Sequence, residues 1–368
     1  PEKIKTANPK INTAELKIHH SYLTERHEIY KKKEILKLPR EEWTEDEVFK
    51  VYKFTNVRRE LDRESRWLVQ NISTNPRLDL EEKVLFSILF RTWNKGENFD
   101  KLNLIEFDIK NISLKDIDIL RTKIKDLNIE FPKYCWFTSA FNTGGVRGTW
   151  VIPETRLSES GNNNAIMNII DENGELILTD TWKECKKYLK ENKDTGTKNY
   201  KIQGVEDVVL RPLHLVKYCK ENDIYREISN CLDAQSLYKI LLSIPGFGGK
   251  FLAYQVFVDL TYIPEFPFSE NEFVVSGPGC DRGLNMIFED KDGMNYEECL
   301  FWFRDNLKRL WEENNLKYYP EELFDHLPEY DRNYNIMMLE NSFCEISKLI
   351  KTIRKEGRPK VKYKERID

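Results

Sequence analysis

Residues Leu241-Leu-Ser-Ile-Pro-Gly-Phe-Gly-Gly-Lys-Phe-Leu-Ala-Tyr-Gln-Val-Phe-Val-Asp-Leu260 join a glycine-rich turn to a long apolar segment. Leu241, Leu242 and Ile244 close one apolar helix, and Pro245 stops it because the ring removes a donor and clashes with the preceding turn. Gly246, Gly248 and Gly249 then allow a left-handed or very tight path. A second helix is expected to start near Lys250. Leu252, Val256 and Leu260 recur along it at a spacing of four, with Phe251, Phe257 and Val258 beside them, so it should be largely buried. Successive amides at such a turn form an anion site, which makes Gly246, Gly248 and Lys250 candidate phosphate contacts. The bland alternative is a glycine-capped turn between two helices.

A chain of 368 residues can bury a sizeable core, in one large or two intimate domains. One third of it is charged, and no apolar run reaches the length of a membrane span. Pro1-Glu-Lys-Ile-Lys-Thr6 has no hydrophobic leader, so a cytoplasmic setting is expected. The seven cysteines are scattered and never form a Cys-x-x-Cys pair, which argues for reduced thiols over a disulfide framework or a zinc site. His19, His20 and His27 read as a solvated helix face more readily than as metal ligands. The net charge is −4, yet Lys348 to Arg366 is strongly basic against only Glu356 and Glu365. That tail reads as a phosphate-binding segment or a solvated end.

Helical spacing dominates the rest. Helices are expected over Asn12–Lys37, from Thr44 as a cap through Glu45, Asp46 and Glu47, and over Asp79–Trp93 and Leu114–Leu127. Further helices are expected at Thr181–Asn192, Leu213–Glu221, Asp233–Ile244, Tyr296–Asn314 and Asn335–Arg354. Ala165 to Leu178 reads as a hairpin across Glu172-Asn-Gly174, within a β element near 134–180 that is expected to be the only sheet. Gly144-Gly145 with Arg147 is a plain surface loop sooner than a phosphate loop. The fold class is therefore mainly α with a small β insertion. The expected segments are 1–133, an α+β insertion at 134–212, the hairpin part at 213–347, and the basic tail at 348–368.

Val51-Tyr-Lys-Phe-Thr-Asn-Val-Arg-Arg-Glu-Leu-Asp-Arg-Glu-Ser-Arg-Trp-Leu-Val69 carries the densest polar chemistry. Read as a helix, it buries Phe54, Val57, Leu61 and Leu68 and displays Asn56, Arg59, Asp62, Arg63 and Arg66. Arg59 and Arg63 would then form a planar-donor clamp for phosphate or pyrophosphate. A surface helix laced with ion pairs fits the same composition.

Two resemblances follow. Ile244-Pro-Gly-Phe-Gly-Gly-Lys-Phe-Leu-Ala253 resembles the helix-hairpin-helix of DNA-glycosylase-like folds, in which an aspartate follows at the substrate pocket; Asp281 in Ser276-Gly-Pro-Gly-Cys-Asp-Arg-Gly-Leu284 comes after a longer connection. Glu42-Trp-Thr-Glu-Asp-Glu-Val-Phe49 with Tyr52-Lys-Phe-Thr-Asn-Val-Arg-Arg-Glu-Leu-Asp-Arg63 is similar to the opening of the amino acid:DNA transferases of thymidine hypermodification. These are also called α-glutamyl/putrescinyl-thymine pyrophosphorylases and are related to the helical domain of 5-hydroxymethyluracil DNA kinases. Gly277 to Leu284 and Leu339-Glu-Asn-Ser-Phe-Cys-Glu-Ile-Ser-Lys348 carry the likeness to the end of the chain.

The second resemblance implies replacement of pyrophosphate on 5-pyrophosphoryloxymethyl-uracil in DNA by the amine of an amino acid. Base flipping on a glycosylase-like scaffold would expose the base. Arg59, Arg63 and Arg282, with Asn56, are candidates for the pyrophosphate, because fixed guanidinium groups stabilise charge that develops as it leaves. Asp281 and Glu345 are candidates to accept the amine's proton, and Asp62 to orient. The implied partners are double-stranded DNA with a modified thymine and a free amino acid, in a host cytoplasm if the chain is phage-encoded. No organic cofactor is expected, and Mg2+ could assist pyrophosphate departure. The alternatives are a DNA glycosylase acting on a modified base and a non-catalytic DNA-binding module. A kinase would need a Gly-x-x-x-x-Gly-Lys-Ser/Thr loop, and the sequence has no such run.

Overall fold

Short polar side chains fix where the helices begin. In a computed structural model, Asn12, Asp79, Ser113, Asp233, Asn295 and Asn335 each accept an amide hydrogen bond from the first turn of the helix that follows. The structure describes residues 2–129, 151–153, 166–171, 173, 175–192, 201–204, 210–244, 250–319, 323–325, 333–356 and 362–363. Among them the longer helices, in chain order, are α1 (Thr13–Tyr30), α2 (Leu80–Trp93), α3 (Leu114–Asp126), α4 (Trp182–Glu191) and α5 (Arg211–Glu221), followed by α6 (Ala234–Ser243), α7 (Lys250–Thr261), α8 (Pro278–Ile287), α9 (Tyr296–Glu313) and α10 (Ile336–Ile353). The fold is mainly helical, as the spacing predicts.

The chain divides into two compact units, Pro1–Ser65 with Phe268–Asp368, and Arg66–Pro267. This division differs from the four segments expected from the sequence. The reason lies in the core of the first unit, which pairs the two ends of the chain. His19 of α1 stacks on Phe343 of α10 at 4.9 Å and meets Phe303 of α9 edge-on at 5.3 Å. Its Nε2 shares a 2.8 Å hydrogen bond with Ser342 Oγ. Burial lowers the His19 pKa to about 3, with His20 adding to the effect. His27 is buried as well. The solvated histidine face expected from the sequence is thus corrected: aromatic partners and a serine hydroxyl make His19 a neutral core residue.

Two glycines set the closest packing in this unit. A Cβ on Gly283 of α8 would lie 2.0 Å from the Phe343 carbonyl oxygen of α10, and one on Gly279 would lie 2.4 Å from Cys344 Sγ. Backbone therefore meets backbone where α8 crosses α10. A short antiparallel pair joins β1 (Lys10–Ile11) to a strand at Phe288–Asp290. It lies outside 134–180, so the expectation of one sheet there is corrected: Phe288 continues directly from α8 and its backbone finds a partner in the N-terminal segment. Parts of the basic tail are packed against the chain. Lys348 to Ile353 belong to α10, Tyr363 N–H donates to Val51 O at 3.0 Å, and the Tyr363 ring lies beside Trp43 and Arg40.

The second unit centres on α2, buried along nearly its whole length. Trp67 stacks on Phe90 at 5.4 Å, and Arg91 donates two 2.6 Å hydrogen bonds to buried Asp259 of α7. The insertion forms a four-stranded antiparallel sheet in the order β2 (Val151–Pro153), β5 (Lys201–Gly204), β3 (Ile166–Ile170), β4 (Leu176–Thr181). The β3–β4 hairpin matches its expected place, and the sheet reaches further than expected, to Gly204. Among the described residues the strands run in chain order to Phe288–Asp290, which is β6.

Candidate functional site

Arg59, Asp62, Asp281, Glu340, Glu345 and Lys348 form one polar cluster in the first unit. Its floor is the segment Phe54 to Asp62, which is not the expected helix. Residues 53–56 are irregular, Arg59–Leu61 is a single 3-10 turn, Asp62 is extended, and a helix begins only at Arg63. The reason is that side chains from other helices satisfy this backbone. Arg26 Nε donates to Phe54 O at 2.9 Å and Tyr22 OH to Thr55 O at 3.0 Å. Glu345 Oε2 accepts from Thr55 N–H at 3.1 Å, and Asn341 Nδ2 donates to Thr55 Oγ1 at 3.2 Å. Those contacts replace the bonds a helix would have supplied. The preceding helix is capped by Asp46, whose carboxylate accepts from Val48 and Phe49, in place of Thr44, which accepts from Asp46 N–H instead.

Inside this loop, Asp62 Oδ1 accepts from Asn56 N–H at 3.1 Å, and Asn56 Nδ2 donates to Leu61 O at 3.0 Å. Asn56 thereby acts as a loop staple, with its Oδ1 buried and lacking a hydrogen-bond partner. Burial raises the Asp62 pKa to about 6; the Asn56 amide and the charges of Arg26 and Arg59 oppose the shift, while Glu345 adds to it. Arg59 is 6% exposed. Arg63 is 82% exposed at its side chain and pairs with its neighbour Glu64 at 2.7 Å. The expected Arg59–Arg63 clamp is therefore corrected: the 3-10 turn breaks the helical spacing that would have aligned the two guanidinium groups.

The other wall is where α8 meets α10. Glu340, 3% exposed, accepts the Gly277 amide at 3.3 Å at the N-terminus of α8. Burial raises its pKa to about 7; Gly277, Arg59 and Lys348 pull it down and Asp281 pushes it up. The charge of Arg59 thus acts on an acid from each wall, Asp62 and Glu340. Asp281 is half-buried, its Oδ1 lacks a hydrogen-bond partner, and burial and Glu297 raise its pKa against Ser276 and Arg282. Glu345, fully buried, also accepts from Lys348 Nζ at 2.5 Å. The Lys348 pKa is raised: burial opposes its charge, but Glu345 and Cys344 outweigh burial, and Cys344 is within hydrogen-bonding reach.

Arg282 is exposed on α8, whereas Arg59 is buried, so the two cations stand in different environments. Lys250 is exposed at the first residue of α7. Phe251 is 56% exposed, which corrects the expectation that it is buried beside Leu252. Gly246 and Gly248 lie outside the described residues. Glu340 escapes the sequence reading although a signal is present. Glu340, Cys344 and Lys348 repeat at a spacing of four directly after the apolar run Ile336–Leu339. Among the described residues no group of three or more His, Cys, Asp or Glu could hold a metal, and no helix is long and apolar enough to cross a membrane.

Residues 13–358 match the family described as "5-hmdU DNA kinase, helical domain". The chain belongs to that family. A 5-hmdU DNA kinase of Bacillus phage SP10 is 22% identical over 320 residues, covering 83% of this chain. The chain spans 40% of the length of that kinase. No solved structure matches. The matched residues include both walls of the cluster.

Proposed function

We propose that this 5-hmdU DNA kinase helical-domain protein is a DNA base hypermodification enzyme, a transferase that moves an amino acid onto 5-pyrophosphoryloxymethyl-uracil in double-stranded DNA and releases pyrophosphate. One observation carries the reading: Glu345 accepts from Thr55 N–H at 3.1 Å and Glu340 from Gly277 N–H at 3.3 Å, so the distant sequence signatures meet in a single charged cluster. The relative's substrate class, hydroxymethylated deoxyuridine in DNA, is consistent with it.

Each task falls to a group of fitting chemistry. The departing pyrophosphate gains negative charge, and a buried guanidinium is felt strongly because little water screens it. Arg59 would supply that field, while Arg282 and Lys348, which reach solvent, would touch phosphate oxygens. The incoming amine must shed a proton, and Asp281 offers an unpartnered carboxylate oxygen with a raised pKa. Glu345, bonded to Thr55 and Lys348, positions that lysine. The α6–turn–α7 segment, read as a helix-hairpin-helix, would grip the DNA backbone through Gly246, Gly248 and Lys250 while the base is flipped.

The test is incubation with DNA carrying hydroxymethyl-uracil, pyrophosphorylated hydroxymethyl-uracil or plain thymine, together with amino acids, followed by nucleoside mass analysis. An amino acid joined through its nitrogen to the C5 methylene, appearing only with the pyrophosphorylated DNA, is the expected result. A free base released from the DNA would establish a glycosylase instead. Arg59→Met should cost about 2–4 kcal/mol of transition-state stabilisation, and Arg59→Lys, which keeps the charge, should cost less. Equal turnover in wild type and Arg59→Met would reject this role for the arginine.

A further inference from the structure

Cys344, Glu345 and Lys348 share two turns of α10, and their contacts run in one direction. Thr55 N–H fixes the Glu345 carboxylate at 3.1 Å, Glu345 holds the Lys348 ammonium at 2.5 Å, and the same ammonium is within hydrogen-bonding reach of the Cys344 sulfur. A nucleophile beside a cation that a third group orients is the arrangement that keeps a thiol in its reactive thiolate form. Cys344 is half-buried, and the missing side chain of Gly279 leaves its sulfur room, since a Cβ there would come within 2.4 Å of it. Cys280 makes the contrast. It is buried, and burial followed by Glu340 and Asp281 pushes its thiol well above the ordinary value.

We propose that Cys344 is the covalent nucleophile of the transfer, adding to C6 of the uracil ring, with Lys348 stabilising its thiolate; this rests on the amino-acid transfer reading above. The ring of a 5-pyrophosphoryloxymethyl-uracil is an unsaturated carbonyl, open to addition at C6. The thiolate sulfur forms a bond to C6, and the C5=C6 electron pair moves onto the C4 carbonyl as an enolate. The enolate then re-forms C4=O, C5 becomes doubly bonded to its methylene carbon, and the methylene C–O bond breaks with its electron pair leaving on pyrophosphate. The amine adds to that methylene and regenerates the enolate. Its surplus proton passes to Asp281. Collapse of the enolate restores C5=C6 and expels the Cys344 thiolate. One amine and one pyrophosphorylated base give one substituted base, pyrophosphate and a proton, with no oxidant or reductant consumed.

The whole chain described above tests this with two readouts. The first is transfer of labelled amino acid to pyrophosphorylated DNA by wild type, Cys344→Ala and Cys344→Ser. Both variants should lose turnover on the order of 10³-fold or more while DNA affinity and melting temperature hold. The second uses DNA containing plain deoxyuridine in deuterated water, where thiolate addition at C6 labilises the hydrogen on C5. Wild type should exchange that hydrogen and Cys344→Ala should not. Turnover within tenfold of wild type in Cys344→Ala, or exchange that persists in it, would overturn the proposal. Lys348→Met should slow exchange and Lys348→Arg should restore part of it; equal exchange in both would remove the lysine from the mechanism. If wild type exchanges the C5 hydrogen but transfers no amino acid, the transfer reading falls and the cysteine's addition to C6 stands.

Discussion

Asp259 in the unit Arg66–Pro267 and Glu340 in the other unit are both buried helical acids, and their partners differ in kind. Asp259 receives both arms of the Arg91 fork at 2.6 Å, so its charge is met within one rigid bidentate pair. Glu340 has a backbone amide at 3.3 Å, an arginine that it shares with Asp62, and a neighbouring acid, and its pKa rises to about 7. The first arrangement locks a helix in place. The second leaves an acid whose proton is easily exchanged near neutral pH, as groups at functional sites often are.

The largest effect should come from breaking the locked pair. Asp259→Asn leaves the Arg91 guanidinium buried without its full countercharge, at a cost of about 3–5 kcal/mol of stability. The double variant Arg91→Met/Asp259→Leu should recover most of that in urea denaturation. A loss under about 1 kcal/mol for Asp259→Asn, the range of an exposed pair, would mean that this pair is not what holds α7 to α2.

Next in size is the crossing of α8 and α10. Gly283→Ala drives a methyl group against the Phe343 carbonyl, a backbone atom that cannot rotate away, and should cost about 1–3 kcal/mol. Gly279→Ala meets the Cys344 sulfur, which can turn, so it should destabilise less while disturbing transfer more. Melting curves and turnover measured on both variants would show the ranking; a reversed order in stability would contradict the close approach at Gly283.

How much of this can be read from sequence depends on where the relevant bonds lie. Helices such as Leu80–Trp93 and Tyr296–Glu313 are legible because their caps and apolar spacing are local. The segment from Phe54 to Asp62 is not, because Tyr22, Arg26, Asn341 and Glu345 decide its shape from far along the chain. The same holds for the site. Motifs alone point to Asp281, Glu345 and Asp62, whereas Glu340 is marked in the sequence only by its spacing from Cys344 and Lys348, and the α8–α10 crossing is what brings it beside Gly277. His19 reads wrongly from local pattern because its stacking partner, Phe343, lies near the other end of the chain.

A smaller effect concerns pH. Glu340 is held above its ordinary value of 4.5, at about 7, so the folded chain binds its proton more tightly than the unfolded chain does. Stability contributed by this group is therefore greatest below pH 4.5 and falls as pH rises to about 7, after which it is level. Glu340→Gln keeps an acceptor for Gly277 and removes the titration. Its stability relative to wild type should climb across that window, in contrast to Asp259→Asn, which should be worse than wild type throughout. A wild-type-minus-variant difference that stays flat from pH 4.5 to about 7 would contradict the shift.

The smallest expected effect lies at the far end of α7 from Asp259. That helix is fixed at one end by the Arg91 fork and presents Lys250 to solvent at the other, next to the turn read as a backbone grip. Unlike the cluster around Glu340, this end should contribute charge to binding and nothing to the chemical step. Lys250→Ala should weaken binding of any duplex to a similar degree and reduce the slope of log affinity against log salt by about one. Turnover at saturating DNA should stay at the wild-type level, because a phosphate grip that holds ground state and transition state equally lowers KM without altering kcat. The measurement is affinity across a salt series for modified and plain DNA, beside saturated turnover. An unchanged salt slope would reduce the turn to an ordinary connection between helices, and a fall in saturated turnover would place Lys250 with the reacting groups instead of the grip.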